Sequence, residues 1–122
     1  MASLQLQLNH TDFSPGDTVT GTASWQLDAP PKDATLHLVW STKGKGTTDI
    51  EVVQTHRFNN PQSRDNQPFT IKLPNAPYTF SGQLISLIWQ LELNVGEQTE
   101  SVEITIAPGG KEVLLPRIDA NP

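Results

Sequence analysis

The chain has 122 residues, eight Lys or Arg against thirteen Asp or Glu for a formal net charge of -5, and no cysteine. That length suits one domain with one continuous core, and the missing cysteines exclude disulfides, thiolate nucleophiles and Cys-ligated zinc. An acidic surface repels nucleic-acid backbones, and the nearest basic residues, Lys43 and Lys45, are too few to form a block.

The opening "MASLQLQLNH" has neither a basic n-region nor an apolar h-region. Within it Leu4, Leu6 and Leu8 alternate with Gln5 and Gln7, the period of a strand with one wet face. "FSPGD" (13 to 17) is a turn, because proline presets φ and glycine accepts φ > 0. Val19, Gly21, Ala23, Trp25 and Leu27 then share a face opposite Thr18, Thr20, Thr22 and Ser24. The small Gly21 and Ala23 predict a bend or the close approach of another strand. "DAPPKD" (28 to 33) is a loop, since no helix interior or central strand holds two prolines.

Leu36, Leu38 and Trp40 form the next inward set, with His37, Val39 and Ser41 between them. "TKGKGTTD" (42 to 49) connects that strand to the next, Ile50 to Phe58. "NNPQSRDNQP" (59 to 68) reads as a long exposed loop, and Phe69, Ile71 and Leu73 as a short strand ended by Pro74. The run "LISLIWQLEL" (84 to 93) is too short to cross a bilayer. It is apolar on both faces at its start and on one face at its end, which predicts a strand covered on both sides first and wetted on one side later. "NVGEQ" is a hairpin turn around Gly96, and Val102, Ile104 and Ile106 complete the set. Residues 109–122 form a tail able to add a short edge strand.

No segment has a helical period of adequate length, and at least seven strand candidates are separated by turn chemistry. The pattern predicts an all-β, immunoglobulin-like antiparallel β-sandwich in one domain over residues 1–108, with a closed barrel as the competing all-β form. The absence of cysteine, leader and membrane span points to the cytoplasm.

"FSPGDTVTGTASW" (13 to 25) resembles the arrestin pattern Phe-x-Pro-Gly-[Asp/Glu]-x-Val-x-Gly. "FTIKLPNAPYTFSGQLISLIWQLEL" (69 to 93) is similar to the arrestin run in which a strand ends in Leu-Pro, a proline- and glycine-containing turn follows, and a long apolar strand comes next. The similarity spans about residues 4 to 106. It implies an arrestin-like β-sandwich and a non-enzymatic, adaptor-like role in protein binding. Arrestin-like proteins carry two such sandwiches in tandem, and this chain has the length of one; none of their receptor-binding or phosphate-sensing residues has a matching position here.

No constellation for catalysis, metal or cofactor stands out. His10, His37 and His56 lack ligand spacing, and "GKGTTD" (44 to 49) is not followed by the helix a phosphate loop needs. No nucleophile elbow is present. Trp40 and Trp89 have apolar neighbours two residues away and belong to the core; Trp25, beside "DAPP", is the tryptophan placed to reach a ligand.

The expected function is therefore protein interaction without catalysis, with a protein partner or a second copy held at a sheet edge or at the end loops. Ile50 to Phe58 is the candidate edge. The residues singled out are Lys43 and Lys45 at the glycine-flanked tip, Ile50 and Val52 on the edge, and Trp25. The alternative is a small-ligand or carbohydrate-binding module that uses Trp25 and loop residues.

Overall fold

The computed structural model describes residues 2–44, 48–82 and 84–111, and the backbone of 113–114. Among the described residues ten strands carry the fold: β1 (Ser3–Leu8), β2 (Asp12–Phe13), β3 (Thr18–Gln26), β4 (Ala34–Gly44), β5 (Thr48–Arg57), β6 (Arg64–Lys72), β7 (Phe80–Ser81), β8 (Ile85–Val95), β9 (Gln98–Ile106) and β10 (Val113–Leu114). Apart from a 3₁₀ turn at Pro108–Gly110, no helix occurs among the described residues, and none is long and apolar enough to cross a membrane.

Two sheets form the sandwich. The smaller has the order β1-β3-β6, antiparallel throughout. In the larger, β4 pairs with β5 on one side and β8 on the other, and β8 continues to β9 and β7. Two short parallel pairings, β2 with β9 and β10 with β7, complete it. The alternation read from sequence places the core between the sheets. Leu36, Leu38, Trp89, Leu91, Leu93, Ile104 and Val19 are all fully buried, each worth ~1.5–3 kcal/mol relative to exposure. Leu4, Leu6, Leu8 and Trp40 pack against that cluster while only partly covered. Among the described residues no buried side-chain polar atom lacks a hydrogen-bond partner.

Gly21 is where two strands come too close for a side chain. A Cβ there would collide with the Gln7 carbonyl oxygen and lie 2.7 Å from Phe69 Cζ. Gly16, at φ +81°, makes the turn expected before β3.

The connection from β6 to β8 is stitched down along its length. The Gly16 N–H donates to the Pro74 carbonyl (3.3 Å) and the Leu73 N–H to the Asp17 carbonyl (2.8 Å). Thr79 is buried and bonds Ile106 twice: its N–H donates to the Ile106 carbonyl (2.7 Å), and its hydroxyl accepts from the Ile106 N–H (2.9 Å). The Trp89 indole N–H reaches the Pro77 carbonyl at 3.0 Å. The proline-rich stretch thus closes one end of the sandwich over the large tryptophan.

The structure corrects the sequence reading in two places. The loop expected over 59–68 ends early, because β6 begins at Arg64 and runs through Pro68. Proline fits there because β6 is an edge of the smaller sheet and its missing N–H removes no ladder bond. Asp65 organises the loop before it, accepting from the Gln62 N–H (3.0 Å), the Asn66 N–H (2.9 Å) and the Gln67 side-chain amide (2.9 Å).

The second correction concerns β8. Its apolar start is not covered on both sides: Leu84 is 58% and Ile85 42% exposed, while Leu87 onward the inward face is buried. The strand overhangs the end of the sandwich, and Ile85 has only Gly44 beside it on β4.

Candidate functional site

The edge of the larger sheet at β5 is the most exposed apolar feature of the described molecule. An edge strand leaves a row of main-chain donors and acceptors unpaired on its outer side. Here the row belongs to ten residues whose side chains are mostly exposed. Ile50 is 70%, Val52 51% and Val53 39% exposed.

Register explains how those residues meet. Ile50 lies opposite Ser41, which lies opposite Ile88; Val52 lies opposite Val39, which lies opposite Gln90; Thr48 lies opposite Lys43. Residues two apart share a face, so Lys43, Ile50 and Val52 occupy the same outer face beside Val39 and Ile88. Val53 is an extra residue: the register shifts between Leu38 and Val39, with Val39 paired to Val52 and Leu38 to Gln54. Such a bulge twists an edge and sets two successive side chains against one partner residue. On the inward side Gln54 donates to the Lys72 carbonyl at 2.7 Å, tying the β5 edge to the β6 edge of the other sheet.

The structure brings three of the five singled-out residues together, namely Lys43, Ile50 and Val52. Lys45 lies outside the described residues. Trp25 is elsewhere and corrects the expectation placed on it: it sits on β3, 3% exposed, with its indole N–H donated to the Gln62 carbonyl at 2.7 Å. Its ring meets Phe58 edge-on at 5.7 Å. The inward phase of β3 took it into the core, so it offers no exposed platform for a ligand.

Sequence reasoning passed over Val53, Leu84 and Ile85. Their signal was the same apolar character that marks a core strand, and only the end of the sheet tells the two apart. Tyr78, 41% exposed, was likewise not singled out.

The histidines sit apart. His37 lies on the outer face between two hydroxyls, Thr35 Oγ1 at 3.4 Å and Thr55 Oγ1 at 3.0 Å. His56 stacks edge-on against Phe58 at 4.8 Å and His10 against Phe13 at 6.4 Å. No group of three side chains able to hold a metal occurs among the described residues. The smaller sheet carries an open groove of about 460 Å³ whose lining includes Trp25 and Asp65 with Ser3, Gln5, Gln26 and Arg64. Its wall is mixed polar and apolar, and the Trp25 side chain, 3% exposed, contributes little surface to it.

No family model and no curated protein matches the chain. Its structure is similar to that of Spo0M, a sporulation control protein from Bacillus subtilis, with TM-score 0.64 and 17% identity over 87% of this chain and 49% of that one. This chain spans about half the length of that protein, and the likeness shows the fold, an all-β sandwich, in agreement with the arrestin-like resemblance. Two more distant structures share only low scores. One is the alkylpurine DNA glycosylase AlkC of Pseudomonas fluorescens (TM-score 0.47, 8% identity, 87% of this chain and 30% of that one). The other is a β-glucosidase of Listeria innocua (TM-score 0.47, 9% identity, 93% and 17%).

Proposed function

We propose that this domain is a non-enzymatic protein-interaction module of the arrestin-like family that binds through the β5 edge. The observation that carries the reading is the exposure of Ile50, Val52 and Val53 on an edge strand. An extended partner adds its backbone to such an edge, and its side chains meet those on the adjoining face. Lys43 on the same face supplies a cation for an acidic side chain of the partner. The fold likeness to a protein named for sporulation control agrees with a regulatory role for the domain.

A photo-crosslinking residue at position 52 tests this in the native cell, with one at the exposed turn residue Glu97 as control. The expected result is a protein adduct specific to position 52. Equal labelling from both positions, or no adduct from either, would overturn the reading. A saturable tryptophan fluorescence change on glycan titration would favour ligand binding instead.

A further inference from the structure

We infer that the partner of the β5 edge is a second copy of this chain, paired antiparallel about a two-fold axis between Val52 and Val53. The inference rests on the reading of β5 as the binding edge and names its occupant.

The edges of the molecule are not equally guarded. Proline, lysine and other charges on an edge discourage further pairing. Of the two long edges that lie side by side, β6 carries Arg64, Pro68 and Lys72. β5 has no proline and no lysine, and three of its residues are large exposed hydrophobics. Its guards are the bulge at Val53 and the charges of Asp49, Glu51 and Arg57, which a suitably registered copy would set opposite His56, Gln54 and Thr48.

A two-fold axis that makes two strands antiparallel leaves each face of the joined sheet continuous, so residues opposite each other must come from the same face. Glu51 and Gln54 lie opposite the core-facing Trp40 and Leu38 on β4, and so take the inward face; Ile50 and Thr55 lie opposite Ser41 and His37 and take the outer one. The extra residue therefore shifts the alternation by one. A regular strand would pair with its copy about a single residue or an even register; this one matches faces when the dyad falls at the bulge.

That register sets Glu51 opposite Gln54 of the second copy, Asp49 opposite His56 and Thr48 opposite Arg57. Val52 meets Val53 at the centre, twice by symmetry, with Ile50 on either side opposite Thr55. The acidic half of one strand thus faces the half of the other that carries His56 and Arg57, and no like charges meet across the seam. Like charges directly opposite are destabilising and apolar pairs favourable in such ladders. The pairing would also fill the main-chain row of ten residues and cover the side chains now most exposed. Both copies carry -5, so their mean fields oppose association and added salt screens that repulsion.

Sedimentation equilibrium of the purified chain from about 10 μM to 1 mM tests the proposal, read with and without 0.5 M salt. The expected result is a reversible monomer–dimer equilibrium strengthened by salt. Val52→Lys, at an exposed position, is expected to raise the dissociation constant at least tenfold while circular dichroism stays unchanged. Leu84→Lys, exposed but off the edge, is expected to leave it within twofold. Because the chain has no cysteine, Asp49→Cys combined with His56→Cys reads the register: oxidation is expected to give a covalent dimer, and Asp49→Cys with Arg57→Cys much less.

A chain that stays at 13.4 kDa at every concentration, or dimers untouched by Val52→Lys, would overturn the inference. If position 52 crosslinks a different protein and the pure chain stays monomeric, the interaction reading stands and the self-pairing falls. If neither adduct nor dimer forms, both fall.

Discussion

At the scale of single residues, Gly21 and Asp65 show how little room the fold leaves for substitution. At Gly21 the obstruction is partly main chain, the Gln7 carbonyl, with the Phe69 ring on the other side. Gly21→Ala must push β1 away from β3 and is expected to cost about 1–3 kcal/mol. Urea unfolding would show this as a lower midpoint at unchanged slope. Asp65 works through charge. Burial pushes its carboxyl up, but the N–H of Gln62, the side-chain amide of Gln67 and the N–H of Asn66 together more than reverse this and hold it below its ordinary value of 3.8. The sign follows from linkage: a carboxyl lowered on folding stabilises the fold above its unfolded value, and that contribution disappears as pH falls through the folded one. The stability difference between the parent chain and Asp65→Asn should therefore be full near pH 6 and shrink toward pH 2. Denaturant titrations across that range would show it; a difference that does not change with pH would mean the carboxylate charge is irrelevant to the loop.

At the scale of strands, two edges of similar length behave differently for reasons partly visible in the residues. β3, β4 and β8 were legible because alternation alone decides a strand with one buried face; Val19, Leu36 and Leu91 could hardly be placed elsewhere. β6 was half missed because "RDNQP" is polar and contains a proline, which looks like a loop unless the strand is known to be an edge. β5 was expected as an edge, and Ile50 and Val52 were named on it, but the bulge at Val53 left no mark in the residue types. Trp25 was misjudged because nearness to a loop in sequence says little when the face of the strand is already set. Leu84 and Ile85 were misjudged because apolar residues on both faces look the same whether a strand is enclosed or overhangs its sheet. Pairing partners decide such cases, and these are the long-range information that a local pattern lacks. At this scale the β5 bulge itself can be tested. Deleting Val53 should restore a regular ladder with β4, with Val52 still opposite Val39, Gln54 still opposite Leu38 and Ile50 and Val52 still on the outer face, so the fold should lose little stability. Thermal melts of the deletion variant would measure it; a midpoint lowered by many degrees would mean that the extra residue is needed for the β4–β5 register.

For the whole molecule, one core spans both sheets, so loss of a single large side chain should be felt globally. Leu91→Ala, at a fully buried position of β8, is expected to cost about 2–5 kcal/mol. Thr70→Ala, at an exposed position on β6, should stay within about 0.5 kcal/mol. Coincident unfolding curves from tryptophan emission and far-ultraviolet dichroism would show that the sheets melt as one unit.

The last long strand also has a temporal consequence. β9 holds the beginning of the chain, where the Thr105 N–H donates to the Thr11 carbonyl (2.8 Å) and the Ala107 N–H to the Phe13 carbonyl (3.0 Å), and it fastens the β6–β8 connection through Thr79 and Ile106. During synthesis neither seam can close until residue 107 has left the ribosome. Until then the strands already made carry apolar faces that lack their final cover, which makes this domain a candidate for chaperone attention before it is one for partners.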